Sequence, residues 1–214
     1  MIMGETIHTY MGNCGAHSDT ARKTLVYWKD SWEKNGWETR VLSQEDAMGF
    51  EGYKEFVEKI GKFPSVNPLP FDFQGFMRWF CMAHVGGWSS EPDVINYGMK
   101  PNIPIADRVM MYSPVPALAY GTKGHYQAVV DRLLGHEIQE ADQYEGRPHL
   151  SDQDFLARYC REDEVRFEVP NHLCSEYTEA GWETAKCVHY GTPYMIRMGQ
   201  MPKHEWVPKL REMP

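Results

Sequence analysis

The first 42 residues constrain the architecture most, because they spell strand, helix, strand with turn chemistry at each junction. Thr6-Ile7-His8-Thr9-Tyr10 is β-branched and aromatic, and Gly12-Asn13-Cys14-Gly15 follows as a turn. Ser18 or Asp19 can cap a helix whose apolar positions are Ala21, Leu25, Trp28 and Trp32, the i, i+4, i+7, i+11 spacing of one helical face. Asn35-Gly36 supplies the stop signal. Residues 37–42 then alternate as a half-buried strand. Two strands joined through a helix form, by default, a right-handed parallel βαβ unit.

The remaining chain continues the alternation. A polar helix is expected near 44–61, then a rigid connection through Pro64, Pro68 and Pro70. Phe73, Phe76, Met77, Phe80, Cys81 and His84 mark a second amphipathic helix, ended by Gly86-Gly87. Short strands are expected at 94–97, 108–112 and 117–120, and a helix over 124–134 with Ala128, Val129 and Leu133 inward. Ser-Asp-Gln-Asp opens another helix at 151–160, and 165–169 reads as a late strand. The pattern predicts an α/β fold, a mostly parallel sheet flanked by helices. At 214 residues the chain is expected to be a single domain over 1–214.

Composition narrows the function. Aromatic residues reach 13%, which excludes a disordered chain. A net charge of −8 argues against a broad basic surface for gripping unmodified nucleic acid. No stretch approaches the ~20 apolar residues of a membrane span, and the first ten residues lack a signal-peptide pattern. Five cysteines, odd in number and without a CxxC pair, argue against a disulfide framework or structural zinc. A soluble, cytoplasmic domain is expected. The chain has no Walker lysine loop, GxGxxG, GxSxG or HExxH, which removes P-loop kinases, simple dehydrogenases, typical α/β hydrolases and zincins from the leading candidates.

The stretch that carries chemistry runs from Arg78 through Gly86-Gly87 to Glu91-Pro92-Asp93-Val94. In an extended chain, side chains at i and i+2 point the same way, so Glu91 and Asp93 can converge on one point. Two carboxylates suit Mg²⁺ or Mn²⁺, which keep coordination sites for water and diphosphate. Pro92 between them fixes one backbone angle and makes the spacing less adjustable. Alone, such a triplet also describes an exposed acidic turn.

Arg78…Gly-Gly-x-x-x-Glu-x-Asp-Val resembles the R…GGxYxDxD segment of the DxD-containing sugar transferases. These nucleotide-sugar enzymes have the GT-A fold and are related to yeast-type initiating mannosyltransferases and to the glucosylating domains of large clostridial toxins. Residues 7–10 and Trp32…Gly36-Trp37-Glu38 resemble that family's first strand and its W…GWE second strand. The resemblance covers roughly residues 6–105 and is looser beyond, implying a donor-binding half at about 1–105 and an acceptor half with a C-terminal tail at about 106–214. It implies that Glu91 and Asp93 hold the metal and that Arg78 contacts the donor. Two positions depart from the pattern: Glu91 replaces an Asp, and Gly75 stands where an Asp is usual.

Further candidates follow. Asp152 and Asp154 resemble the DQD helix start of GT-A transferases, where an acidic residue nears sugar and acceptor; Ser151 with Asp154 also reads as a helix cap. His189 resembles the C-terminal histidine that ligates metal or diphosphate, and imidazole is an acceptable third ligand for Mn²⁺. Lys186 is a candidate for offsetting diphosphate charge. His8, Thr9 and Tyr10 end the first strand, where nucleotides bind in open α/β sheets; Tyr10 serves either as a base-stacking ring or as core. Gly87 joins them on the donor side.

The expected function is therefore metal-dependent transfer of a sugar from a nucleoside-diphosphate sugar to an acceptor hydroxyl, with retention implied by the resemblance alone. The acceptor is open among a glycan, a protein side chain, a lipid-linked sugar and a hydroxymethylated base. The alternatives are a catalytically degenerate sugar- or protein-binding module, favoured by the Glu91 and Gly75 departures, and a metal-dependent nucleotidyltransferase or sugar-nucleotide hydrolase.

Overall fold

The computed structural model describes residues 5–12, 18–67, 71–113, 115–167, 173–176 and 184–191. β1 (Thr6–Tyr10), α1 (Ser18–Lys34) and β2 (Glu38–Leu42) form the expected unit, with β1 and β2 parallel and in register from Thr6–Glu38 to Tyr10–Leu42. Gly36 takes φ 92°, a left-handed conformation that suits glycine, and so turns the chain from α1 into β2. Trp28 and Trp32 are buried as their spacing requires.

The expected helix over 44–61 is two, α2 (Gln44–Met48) and α3 (Tyr53–Ile60). Ser43 caps α2 in a reciprocal box with Asp46, and Gly52 at φ 81° breaks the run before α3. The next helix, α4 (Phe71–Val85), is less amphipathic than expected: residues 76–83 are all buried. The reason is its position, packed against β1, α2, α3, α5 (Lys123–Gly135) and α6 (Asp152–Tyr159). In α5, Val129 and Leu133 point inward with Tyr126 and Val130, while Ala128 is half-buried.

β3 (Gly87–Ser90), β5 (Val109–Met111), β6 (Leu118–Gly121) and β9 (Val165–Phe167) complete a six-stranded sheet of order β2-β1-β3-β6-β5-β9. The pairs β1–β2, β1–β3 and β5–β9 are parallel, and β3–β6 and β5–β6 antiparallel, so the sheet is mixed and mostly parallel. One core, with Ile7, Trp28, Trp32 and Trp88, lies beneath α1; another, with Tyr10, Phe76, Trp79, Tyr126 and Phe155, lies beneath α4 and α5. This is the α/β architecture expected, with helices on both faces.

β4 (Val94–Asn96) is shorter than its apolar run, because the Asn96 side chain accepts from the Gly98 and Met99 amides and turns the chain. It leaves the main sheet for a second one of order β10-β11-β4, with β10 at Cys174–Glu176 and β11 at Cys187–His189. β7 (Gln143–Tyr144) and β8 (Arg147–Pro148) form a small hairpin. Among the described residues, no helix is long and apolar enough to cross a membrane, and Cys81, Cys160, Cys174 and Cys187 are free thiols. The late strand beyond Phe167 and the tail after Gly191 lie outside the described residues.

Candidate functional site

The site begins at the turn between α4 and β3. Gly86 and Gly87 take φ 70° and 87°, and a Cβ at Gly86 would lie 3.0 Å from the Lys123 backbone nitrogen. The double glycine thus lets α4 end against α5 and the chain re-enter the sheet as β3. β3 delivers Glu91-Pro92-Asp93 as a turn rather than the extended segment expected, closed by the Val94 amide donating to the Glu91 carbonyl at 3.1 Å. The Glu91 amide donates to the Ala117 carbonyl (2.8 Å), and the Tyr190 amide to the Asp93 carbonyl (3.1 Å). Two indoles of α1 bracket the turn: Trp28 Nε1 donates to Ser90 Oγ (2.7 Å) and Trp32 Nε1 to the Val94 carbonyl (3.1 Å).

β11 pairs antiparallel with β4, setting His189 opposite Val94 and so beside the turn. His189 Nε2 lies 2.9 Å from Glu91 Oε2 and 3.4 Å from Asp93 Oδ1. One ligand atom from each of Glu91, Asp93 and His189 falls within 4.8 Å of the others. Two carboxylate oxygens and an imidazole nitrogen suit Mn²⁺ or Mg²⁺. Burial pushes the Glu91 pKa up, but Arg78 and His189 outweigh that and hold it below the usual range.

Arg78 is buried and reaches two carboxylates, Glu91 Oε1 through Nη1 (2.9 Å) and Asp152 Oδ2 through Nη2 (2.8 Å). Burial opposes its charge, yet the two carboxylates raise its pKa above the ordinary value. Trp79 Nε1 also donates to Asp152 Oδ2 at 2.9 Å. Burial raises the Asp152 pKa despite those partners. Three carboxylates against one guanidinium give a formal charge of −2 before His189 is counted, which a divalent cation balances.

The sequence candidates separate in space. Glu91, Asp93, His189, Arg78 and Asp152 come together; Asp154 turns instead to Ser151 Oγ (2.7 Å) and Arg158 (3.2 Å), the capping role. Lys186 is exposed, and its carbonyl accepts the Tyr97 and Gly98 amides. His8 is buried and donates from Nδ1 to the Trp88 carbonyl (3.1 Å), with its pKa lowered by burial. Thr9 is fully buried, and the Tyr10 ring is packed in the core under α4. Gly87 lies beside the His8 ring, its Cβ position 4.0 Å from His8 Cε1. The indoles of Trp28 and Trp32 carry polar contacts to the site that helical periodicity alone assigns to the core, and Trp79, outside the apolar positions read for α4, carries a third. The tryptophan pair at i, i+4 is the sequence signal of the first two, since a buried indole N–H needs an acceptor.

No family model matches the chain, and no curated protein matches it. Its fold is similar to a solved structure described as a glycosyltransferase involved in the glycosylation of the major capsid of PBCV-1. The TM-score is 0.50 at 13% identity, over 95% of this chain and 99% of that one. At that identity the likeness is one of architecture: the chain shares the overall α/β fold of a glycosyltransferase structure.

Proposed function

We propose that this protein is a glycosyltransferase that moves a sugar from a nucleoside-diphosphate sugar to an acceptor hydroxyl. The observation that carries the reading is the convergence of Glu91, Asp93 and His189 beside buried Arg78, at the end of β3. The fold likeness supports it. Glu91, Asp93 and His189 would hold Mn²⁺ or Mg²⁺. Such a cation supplies Lewis-acid stabilisation of the charge that grows on a diphosphate leaving group. Arg78 adds a fixed positive charge in a buried setting, where it acts more strongly than in water. The donor is expected at the carboxyl ends of β1 and β3, where Glu91 follows Ser90; His8, mid-strand in β1, and Gly87, at the start of β3 before the Ile7–Trp88 pair, lie farther from that edge. Asp152 reaches this donor side from α6, in the later part of the chain that the sequence resemblance gives to the acceptor.

The test is calorimetric titration of UDP, GDP and their common sugar conjugates, with Mn²⁺ and then with EDTA, on wild type and Asp93→Ala. Metal-dependent binding of one nucleotide, abolished in the variant, is the expected result. Product analysis with the bound donor then separates sugar transfer from nucleotidyl transfer or hydrolysis. Binding of no nucleotide under either condition overturns the donor site and leaves a sugar- or protein-binding module.

A further inference from the structure

Gly75 lies in the interior of α4, where its backbone is helical and any residue could stand. A helix-interior glycine costs about 1 kcal/mol relative to alanine, so conformation gives no reason for it. Space does. An ideal Cβ at Gly75 would fall 2.9 Å from both Cγ and Oδ1 of Asp152 and 3.1 Å from Oδ2, against the whole carboxylate of a residue on another helix.

We propose that Gly75 and Asp152 form a matched pair that sets Arg78: the bare backbone at Gly75 is the seat of the Asp152 carboxylate, and that carboxylate holds one arm of the guanidinium. The inference rests on the reading of Glu91 as a metal ligand. Gly75, Arg78 and Trp79 lie at i, i+3 and i+4, one face of α4. From its seat, Asp152 accepts Arg78 Nη2 (2.8 Å) and Trp79 Nε1 (2.9 Å) on Oδ2 and the Gln153 amide (2.9 Å) on Oδ1. Arg78 therefore offers Glu91 only Nη1, at Oε1, and Glu91 Oε2 keeps its place 2.9 Å from His189. Released from Asp152, the guanidinium is free to clasp Glu91 with both arms, the geometry arginine prefers with a carboxylate. That clasp takes the oxygen that Glu91 directs toward the metal ligands. Asp152 is thus a positioning residue acting through Arg78.

The experiment measures Mn²⁺ affinity from the electron paramagnetic resonance signal of free Mn²⁺, with thermal melts confirming that each variant folds. Gly75→Ala changes no charge, yet it should lower Mn²⁺ affinity about tenfold, as loss of an outer partner of a metal ligand does. In an Asp152→Ala background the same change should matter by less than about twofold, because the seat is already empty. Gly75→Asp with Asp152→Ala, which returns the carboxylate from α4 itself, should recover affinity to within about threefold of wild type. Trp79→Phe, a second neutral change that loosens Asp152, should also weaken Mn²⁺ binding and serves if Gly75→Ala does not fold. Wild-type affinity in both neutral variants, or an equal Gly75→Ala effect with and without Asp152, overturns the matched pair alone. A wild type that binds no Mn²⁺ overturns the metal reading and the pair with it.

Discussion

Trp32 stands in the apolar stripe of a helix, yet its indole N–H is one of two that fix the turn holding Glu91 and Asp93. Trp32→Phe keeps most of the ring packing and leaves the Val94 carbonyl without that donor, so it should cost about 1–3 kcal/mol in urea melts and weaken Mn²⁺ binding. A phenylalanine that matched wild type in both would make Trp32 simple core. A second polar network lies away from the site. Asp142 is buried, and accepts the Gln139 amide (2.7 Å), His136 Nε2 (3.0 Å) and the Tyr159 hydroxyl. Burial raises its pKa, but these donors outweigh burial and leave it below the ordinary value. A lowered carboxylate pKa stabilises the fold above the unfolded value of about 3.9, and that contribution is lost as pH falls through the folded value. Urea melts of wild type from pH 7 to pH 3 should therefore show this loss, and Asp142→Asn should be about 1.5–3 kcal/mol less stable at pH 7 with a shallower acid decline. Two buried thiols are passive: burial pushes Cys81 to about 12 and Cys187 higher still. Ellman's reagent at pH 8 should leave both unmodified until the protein is unfolded.

Among the elements, the α4–β3 junction is the most demanding. Gly86 and Gly87 both need left-handed φ, and Gly86 also touches the start of α5. Either substitution by alanine should cost about 1–2 kcal/mol for the backbone conformation, with Gly86→Ala the worse because a backbone atom cannot move aside. Gly135, at the end of α5, has a negative φ and open space around its Cβ position, so Gly135→Ala should be neutral or stabilising by up to about 1 kcal/mol. Equal melting temperatures for all three variants would remove this account of the double glycine. The double glycine made the end of α4 legible in the sequence, while the split of 44–61 into α2 and α3 was not. Gly49 and Gly52 were visible in the sequence, but only the burial of Phe56 and Ile60 against α4 decides that the chain breaks and turns there.

At the scale of the molecule, the candidate site is assembled from distant parts of the chain. Arg78, Glu91 and Asp93 come from the first half, Asp152 from α6 and His189 from β11. The main sheet is interleaved in the same way, since β3 pairs with β6 and α4 packs on α5. A fragment of residues 1–105 should therefore show no cooperative thermal transition by circular dichroism and no Mn²⁺ binding. A fragment that melts cooperatively and binds the metal would show that the expected donor half, about 1–105, folds and assembles the site by itself.

The parallel β1–α1–β2 unit, the α/β class and the residue types of the acidic segment follow from the sequence by itself. Helical and strand periodicities, turn glycines and paired carboxylates are local patterns, and local patterns survive in one dimension. Which groups meet was decided only by tertiary structure. His189 becomes a partner of Glu91 because β11 pairs with β4, and Asp152 becomes a partner of Arg78 because α6 packs on α4. Asp154, two residues away, stays in the first turn of its own helix, where its amide donates to the N-cap Ser151 Oγ. Such pairings rest on side-chain volume and hydrogen-bond demand between elements far apart in the chain, and no spacing along the sequence encodes them.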